Sequence, residues 1–134
     1  MEQPSTNVPI KFIGYKIIKV NYESDINRME TYENLEFSIN VNPVFKTERL
    51  FSVVFNLGIL DQNKERILYV EACSNFESVI DITEEFKANS MFHKVNAPAI
   101  FFPYLRAFVS NLTINSGNPP IILPTFNFTV WANK

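Results

Sequence analysis

The apolar residues of this chain change their spacing once, near residue 80. Before that point they cluster in four stretches rich in β-branched and aromatic residues; beyond it they recur every three to four positions. A switch of this kind commits the chain to strands first and helix second, stacked as layers of one α+β domain. The first predicted strand, Lys11 to Glu23 (KFIGYKIIKVNYE), has mixed faces, with Phe12, Ile18, Val20 and Tyr22 on one and Ile13, Tyr15 and Ile17 on the other. After a polar connection, the second runs from Asn34 to Thr47 and alternates Leu35, Phe37, Ile39 and Val41 against Glu36, Ser38, Asn40 and Asn42. Pro43 puts this strand at an edge or a bulge. RLFSVVFNLGIL and RILYVEACSNF follow, joined by the polar hairpin DQNKE. Short loops between successive strands imply antiparallel pairing, so a four-stranded antiparallel sheet is expected.

Helix begins after residue 80. Asp81 with Glu84 fits a capping box that opens a short helix to about Val95. Phe101, Tyr104, Leu105, Phe108, Val109 and Leu112 then form a stripe at helical spacing. Asn96 is the expected cap of this main helix, Pro98 sits in its first turn, and Pro103 either kinks it or starts its regular part. Gly117 and Pro119-Pro120 end it. The remainder, IILPTFNFTVWANK, reads as an extended apolar piece with at most a stub of structure, and residues 1–9 as a loose lead-in to a single domain over 1–134. One helix layer covers one face of the sheet. Since the first and fourth strands carry apolar residues on both faces, some apolar surface is left for a twin subunit or a ligand.

Composition removes several function classes. Twelve basic against 14 acidic residues give a net charge of -2, without the positive field of a nucleic-acid binder or a polybasic membrane protein. Cys73 is the only cysteine and His93 the only histidine, which leaves no disulfide framework, no cysteine-based zinc site, no multi-His metal centre and little for a nucleophile–base pair. With three glycines there is no phosphate-cradling loop, so no enzyme activity and no cofactor are expected. The start lacks a signal-peptide pattern, and the longest apolar run, Ala97 to Leu105, is shorter than the ~20 residues of a membrane span; a soluble, cytoplasmic domain is expected. Cys73 is expected as a small buried hydrophobe and His93 as a surface or capping residue. Asp81, Glu84 and Glu85 are explained by a helix N-terminus, and the two Asn-x-Thr sequons at Asn111 and Asn127 are chance matches. Thirteen Phe, five Tyr and one Trp remain to be placed in core, interface or binding surface.

From Asn96 to Phe128, about a quarter of the chain, the sequence resembles the SecB family of protein-export chaperones. The match rests on Phe102-Pro103-Tyr104 at the helix start, Arg106 two residues beyond, the turn from Gly117 to Pro120, and the exit from Leu123 to Phe128. The resemblance implies a Greek-key-like sheet with one main helix on one face, and an ATP-independent cytosolic holdase, acting in protein export, that assembles as a dimer or a dimer of dimers. It implies unfolded polypeptide clients held in apolar grooves, with no ATP, metal or covalent step. Aromatic grooves suit many client sequences because each ring buries much area with few rotamers to freeze. Phe12, Tyr15, Tyr22, Tyr69, Phe101, Phe102 and Tyr104 are the candidate client-binding residues, although the helix stripe is also what a core requires.

Family members dock the SecA ATPase through acidic residues on the sheet and through a basic C-terminal tail. Here Lys19 falls where the first acid is expected and Val70 where the strand-four acid is expected. Glu23 and Glu71 are the remnants, Glu71 being one residue displaced and on the other face. The chain stops about where the family's last helix would begin, so docking to SecA is expected to be weak. Two other readings stay open: a dedicated SecB-like chaperone of a toxin–antitoxin module, and a small-ligand-binding α+β module using the same apolar cavity.

Overall fold

A computed structural model of the protein describes residues 9–24, 32 and 34–132. The expected lead-in and most of the polar connection before the second strand lie outside the described residues. Four strands, β1 (Ile10–Tyr22), β2 (Glu36–Phe45), β3 (Leu50–Leu60) and β4 (Arg66–Ser78), pair antiparallel in the order β1-β4-β3-β2. β2, β3 and β4 form a meander and β1 returns beside β4, which is the Greek-key order. The inner face is made by Phe51, Val53, Phe55, Leu57 and Ile59 of β3. These lie directly opposite Phe76, Ser74, Ala72, Val70 and Leu68 of β4. β2 continues it with Phe37, Ile39 and Val41. The β3–β4 hairpin closes on Asp61, whose Oδ1 accepts from the backbone N–H groups of Asn63 and Glu65 at 2.8 and 3.0 Å, an Asx-type turn.

β1 departs from strict alternation. Its register against β4 slips between Phe12 and Gly14 and again between Ile17 and Lys19, so Ile13 and Ile18 are bulge residues. Each extra residue turns the following side chains to the other face. As a result Phe12, Tyr15, Ile17, Val20 and Tyr22 all stand opposite inner-face residues of β4, and the two mixed faces expected from a regular strand merge into one. Ile13 and Ile18 are left 56% and 52% exposed on this edge strand.

The helical half also differs in detail. α1 (Glu84–Asn89) is capped by Thr83, whose hydroxyl accepts from the Phe86 N–H at 3.1 Å. Asp81, expected to be that cap, pairs instead with Arg49 at 3.0 Å. The helix does not run on to Val95, because Ser90 is extended and its hydroxyl accepts from the Phe92 N–H. A π-helical turn (Phe92–Asn96) then feeds α2 (Ala97–Asn115) without a break. Asn96 accordingly has helical angles and makes no cap bond. Pro103 sits inside α2; it and Ala99 are both exposed, so the carbonyl that loses its partner is left to water.

α2 ends in a Schellman motif. Gly117 takes φ +86°, its N–H bonds to Ile114 O at 3.0 Å, and the Asn118 N–H bonds to Thr113 O at 3.0 Å. The extended exit is then stitched back onto the helix, with Ser110 Oγ donating to Ile121 O and Ile121 N–H donating to Thr113 Oγ1. These bonds seat Ile121, Leu123 and Phe128 in the core beside Phe101, Leu105 and Val109. A short α3 (Phe128–Ala132) follows.

Candidate functional site

Two stripes run along α2. Phe101, Leu105, Val109 and Thr113 are fully buried and face the sheet. Tyr104, Phe108, Asn111 and Asn115, spaced four, three and four residues apart, form a second stripe roughly a quarter-turn away. This stripe overhangs β1. Between them lies an open groove of ≈ 370 Å³ whose lining includes Tyr15, Tyr104, Phe108 and Leu112, with Asn111, Asn115 and Ser116 supplying amide and hydroxyl groups. Its aromatic floor is continuous. Tyr104 packs on Phe12 and Tyr15 with ring centroids at 5.1 and 5.5 Å, Tyr15 reaches Phe101 at 5.2 Å, and Phe12 reaches Phe76 at 5.4 Å. Tyr15 and Tyr104 keep 43% and 45% of their surface exposed, a large apolar area left open in a small domain.

Of the seven aromatic candidates, Tyr15 and Tyr104 line this groove, and Phe12 packs against Tyr104 from the core side. Phe101 and Phe102 do not belong to the surface: Phe101 is fully buried against Phe55 at 5.0 Å, and Phe102 is buried between Phe126 and Phe128. Their place in the helix stripe made core and groove indistinguishable in sequence. Tyr22 is half-buried at the far end of β1, where its hydroxyl meets Tyr32 Oη at 2.9 Å and the Asn118 side-chain N–H at 2.5 Å. Asn118 also donates to Ser24, so this cluster ties the end of β1 to the exit of α2. Tyr69 lies on the opposite face of the sheet, bonded to Asn56 and beneath the Arg66 guanidinium at 5.1 Å. Phe108, Leu112, Asn111 and Asn115 were missed as groove residues. The second stripe beside the core stripe was the signal that could have found them.

The outer face is polar. Rows across it read Asn40, Asn56, Glu71 and Lys19, and Asn42, Val54, Cys73 and Lys16. Val70 is buried on the inner face, whereas Glu71 is outward and directly opposite Lys19. Glu23 is exposed just beyond β1. Cys73 is half-buried on this outer face and not in the core, with Sγ 3.7 Å from Asn75 Oδ1. Among the described residues no group of three His, Cys, Asp or Glu side chains could hold a metal ion, and no helix is long and apolar enough to cross a membrane.

His93 is not a surface residue. It is 2% exposed, its Nε2 donates to Phe86 O at 3.1 Å, and its ring stands edge-on to Phe45 at 5.1 Å. Burial lowers its pKa below the ordinary 6.5, outweighing the bonds to backbone.

Comparison with known proteins agrees with this architecture. Residues 2–133 match the family model described as preprotein translocase subunit SecB. An uncharacterized protein of Methanocaldococcus jannaschii is 38% identical over 122 residues, which span 91% of this chain and 77% of that protein. The protein-export protein SecB of Bartonella quintana is 25% identical over 103 residues, 75% of this chain and 63% of that one. Among solved structures, the Mycobacterium tuberculosis SecB-like chaperone in complex with a ChAD peptide from the HigA1 antitoxin superimposes with a TM-score of 0.70 at 16% identity, covering 89% of this chain and 88% of that one. With a family model matched over nearly its whole length and the four-stranded sheet and long helix to go with it, the chain belongs to the SecB family.

Proposed function

We propose that the protein is an ATP-independent holdase that keeps non-native polypeptides from aggregating by seating their apolar segments in the groove between β1 and α2. The observation that carries this reading is the pair of half-open rings Tyr15 and Tyr104, backed by Phe12 and set beside Phe108 and Leu112 in a SecB-family chain. Exposed rings bury further area on contact with any apolar segment, and the Asn and Ser groups at the rim can bond to unpaired client backbone. Few fixed polar readers means low sequence selectivity. No nucleotide, metal or covalent step enters this reading. A symmetric dimer, or a tetramer built from two dimers, is part of it, since Ile13 and Ile18 leave apolar surface on an edge strand. The test is aggregation suppression with an unfolded client and no nucleotide. Failure at a molar excess of the intact oligomer would overturn it.

A second reading changes only the client. The Mycobacterium tuberculosis relative was solved with a peptide from an antitoxin, which favours a dedicated antitoxin chaperone as the alternative; a toxin–antitoxin gene pair beside this one would decide for it. For export, the outer sheet face offers little to a basic motor surface. Lys19 stands opposite Glu71 and offsets it, and Glu23 is the only other acid among the proposed docking positions. Because charge chiefly sets on-rate and partner choice, SecA binding should be weak while client holding is retained.

A further inference from the structure

The corner where α1 meets the π-turn holds a buried imidazole with one nitrogen unused. His93 Nε2 faces the Phe86 carbonyl, which can only accept, so Nε2 carries the ring proton. Nδ1 is buried without a hydrogen-bond partner. The walls are aromatic, with Phe45 of β2 edge-on at 5.1 Å and Phe86 of α1 at 5.8 Å. The same carbonyl of Phe86 also accepts from the Ser90 N–H at 3.0 Å, and Lys94 Nζ donates to Ala88 O at 2.7 Å. The neutral imidazole is therefore a tie between the end of α1 and the π-turn. We propose that this corner is an acid-released latch: neutral His93 holds α1 and the π-turn against β2, and its protonation lets them swing off and expose Phe45, Phe86 and Phe92.

The argument is one of unmet needs. An imidazolium has two N–H donors, and among the described residues Nδ1 has no hydrogen-bond partner. The backbone bonds to Phe86 and Lys87 favour the charged ring, but burial in the apolar wall outweighs them. No neighbouring charge relieves it. On the π-turn the charged group is Lys94, which disfavours a second cation. On α1, Glu84 is paired with Lys87, and Lys87 itself lies over the Phe45 ring at 5.6 Å; Glu85 is exposed. On β2, Glu36 at the far end is paired with Lys64, and Lys46, just past the near end, is a further cation. α2 carries Arg106 alone and α3 carries no charge. The backbone at this point is a π-turn between the break at extended Ser90 and the start of α2, an irregularity of the kind often found at functional sites. His93 is the single histidine, and imidazole is the side chain whose ordinary pKa places its charge change at about pH 6.5. The folded pKa lies below the unfolded value, so the latch is closed above about pH 6.5 and is released as pH falls below it.

The test combines an NMR titration of the His93 ring protons with binding of an apolar dye and far-ultraviolet circular dichroism, from pH 7.5 to 5. The expected result is a ring midpoint below 6.5 and a rise of at least twofold in dye fluorescence with the same midpoint, while the helix and strand signal is retained. His93→Phe, which keeps an aromatic ring in the apolar wall, should remove the dye transition. If that variant does not fold, the wild-type midpoints alone decide. A ring midpoint at or above 6.5, a dye rise away from the ring midpoint, loss of all secondary structure in the same step, or an unchanged transition in His93→Phe would each overturn the proposal.

Discussion

Replacing Tyr104 by Ala separates groove from core most sharply, because this ring belongs half to each. It is 45% exposed, and the covered half lies against Phe12 and Tyr15. An aromatic side chain buries about 150–250 Å² when fully enclosed, so about 100 Å² is covered in the free protein. At ~25 cal/mol per Å² that is worth about 2.5 kcal/mol, an upper bound because an unfolded chain already hides part of this area. The expected loss of folding stability is therefore about 1–2 kcal/mol. A client seated on the ring would cover the other half, a similar area, and ordering the client segment offsets part of the gain. About 1–2 kcal/mol of client binding should remain, so Tyr104→Ala weakens it about 5- to 30-fold. Fluorescence anisotropy with a labelled, permanently unfolded apolar peptide measures the affinity, and urea unfolding measures the stability. Phe102→Ala is the control: its ring is buried against Phe126 and Phe128, away from Tyr15 and Tyr104, so it should cost about 3–5 kcal/mol of stability. At urea-free conditions where it stays folded it should hold peptide normally. Unchanged peptide affinity in Tyr104→Ala, or in the double variant with Tyr15→Ala, would refute the groove as the client site.

The remaining expectations are shorter. Thr113→Val removes the buried acceptor of the Ile121 N–H and should lower stability by about 1–3 kcal/mol, read as a lower urea midpoint at unchanged slope. Gly117→Ala forces a side chain into a φ of +86° and should cost about 1 kcal/mol; no loss would mean the Schellman turn relaxes freely. Lys19→Glu should strengthen SecA binding at low salt more than at moderate salt, and tight salt-sensitive binding by the unaltered protein would restore docking elsewhere on its surface. Sedimentation at micromolar concentration should show a species larger than 15.5 kDa; the monomer alone would end the oligomer reading.

The strand–helix order, the antiparallel pairing and the helix end at Gly117 were legible because each depends on local chemistry: alternation, turn length and a residue that tolerates positive φ. The fate of the aromatic residues was not. On α2, Phe101 and Tyr104 are three positions apart and equally apolar in the sequence, yet the first is enclosed and the second half-open. What separates them is the direction of the helix axis over the sheet, which no single helix encodes. His93 was misplaced for a related reason. A short polar-flanked stretch looks exposed, but Phe45 from β2, nearly fifty residues earlier, closes over the ring. Thr83 rather than Asp81 caps α1 because Arg49, from the start of the β3 hairpin, captures the aspartate first.

β1 shows how such long-range effects decide the site itself. Read with period two, its apolar residues divide between faces, and either face alone offers too few rings to build a groove. The slips at Ile13 and Ile18 collect Phe12, Tyr15, Ile17, Val20 and Tyr22 on one side. A bulge leaves no signature in composition; it is set by the partner strand, whose inner face from Leu68 to Phe76 keeps strict alternation and requires apolar neighbours. The groove at Tyr15 and Tyr104 thus exists because β4 imposes its register on an irregular edge strand, and the two isoleucines pushed outward mark where that register was corrected. Deleting Ile13 should restore regular pairing through the slip and leave the residues from Gly14 onward in register with β4, with the inner-face order intact. Inserting a residue after Tyr15 should likewise be absorbed as a bulge that leaves Ile17 opposite Ala72, whereas Ile17 turned outward would show that β1 alone carries the register.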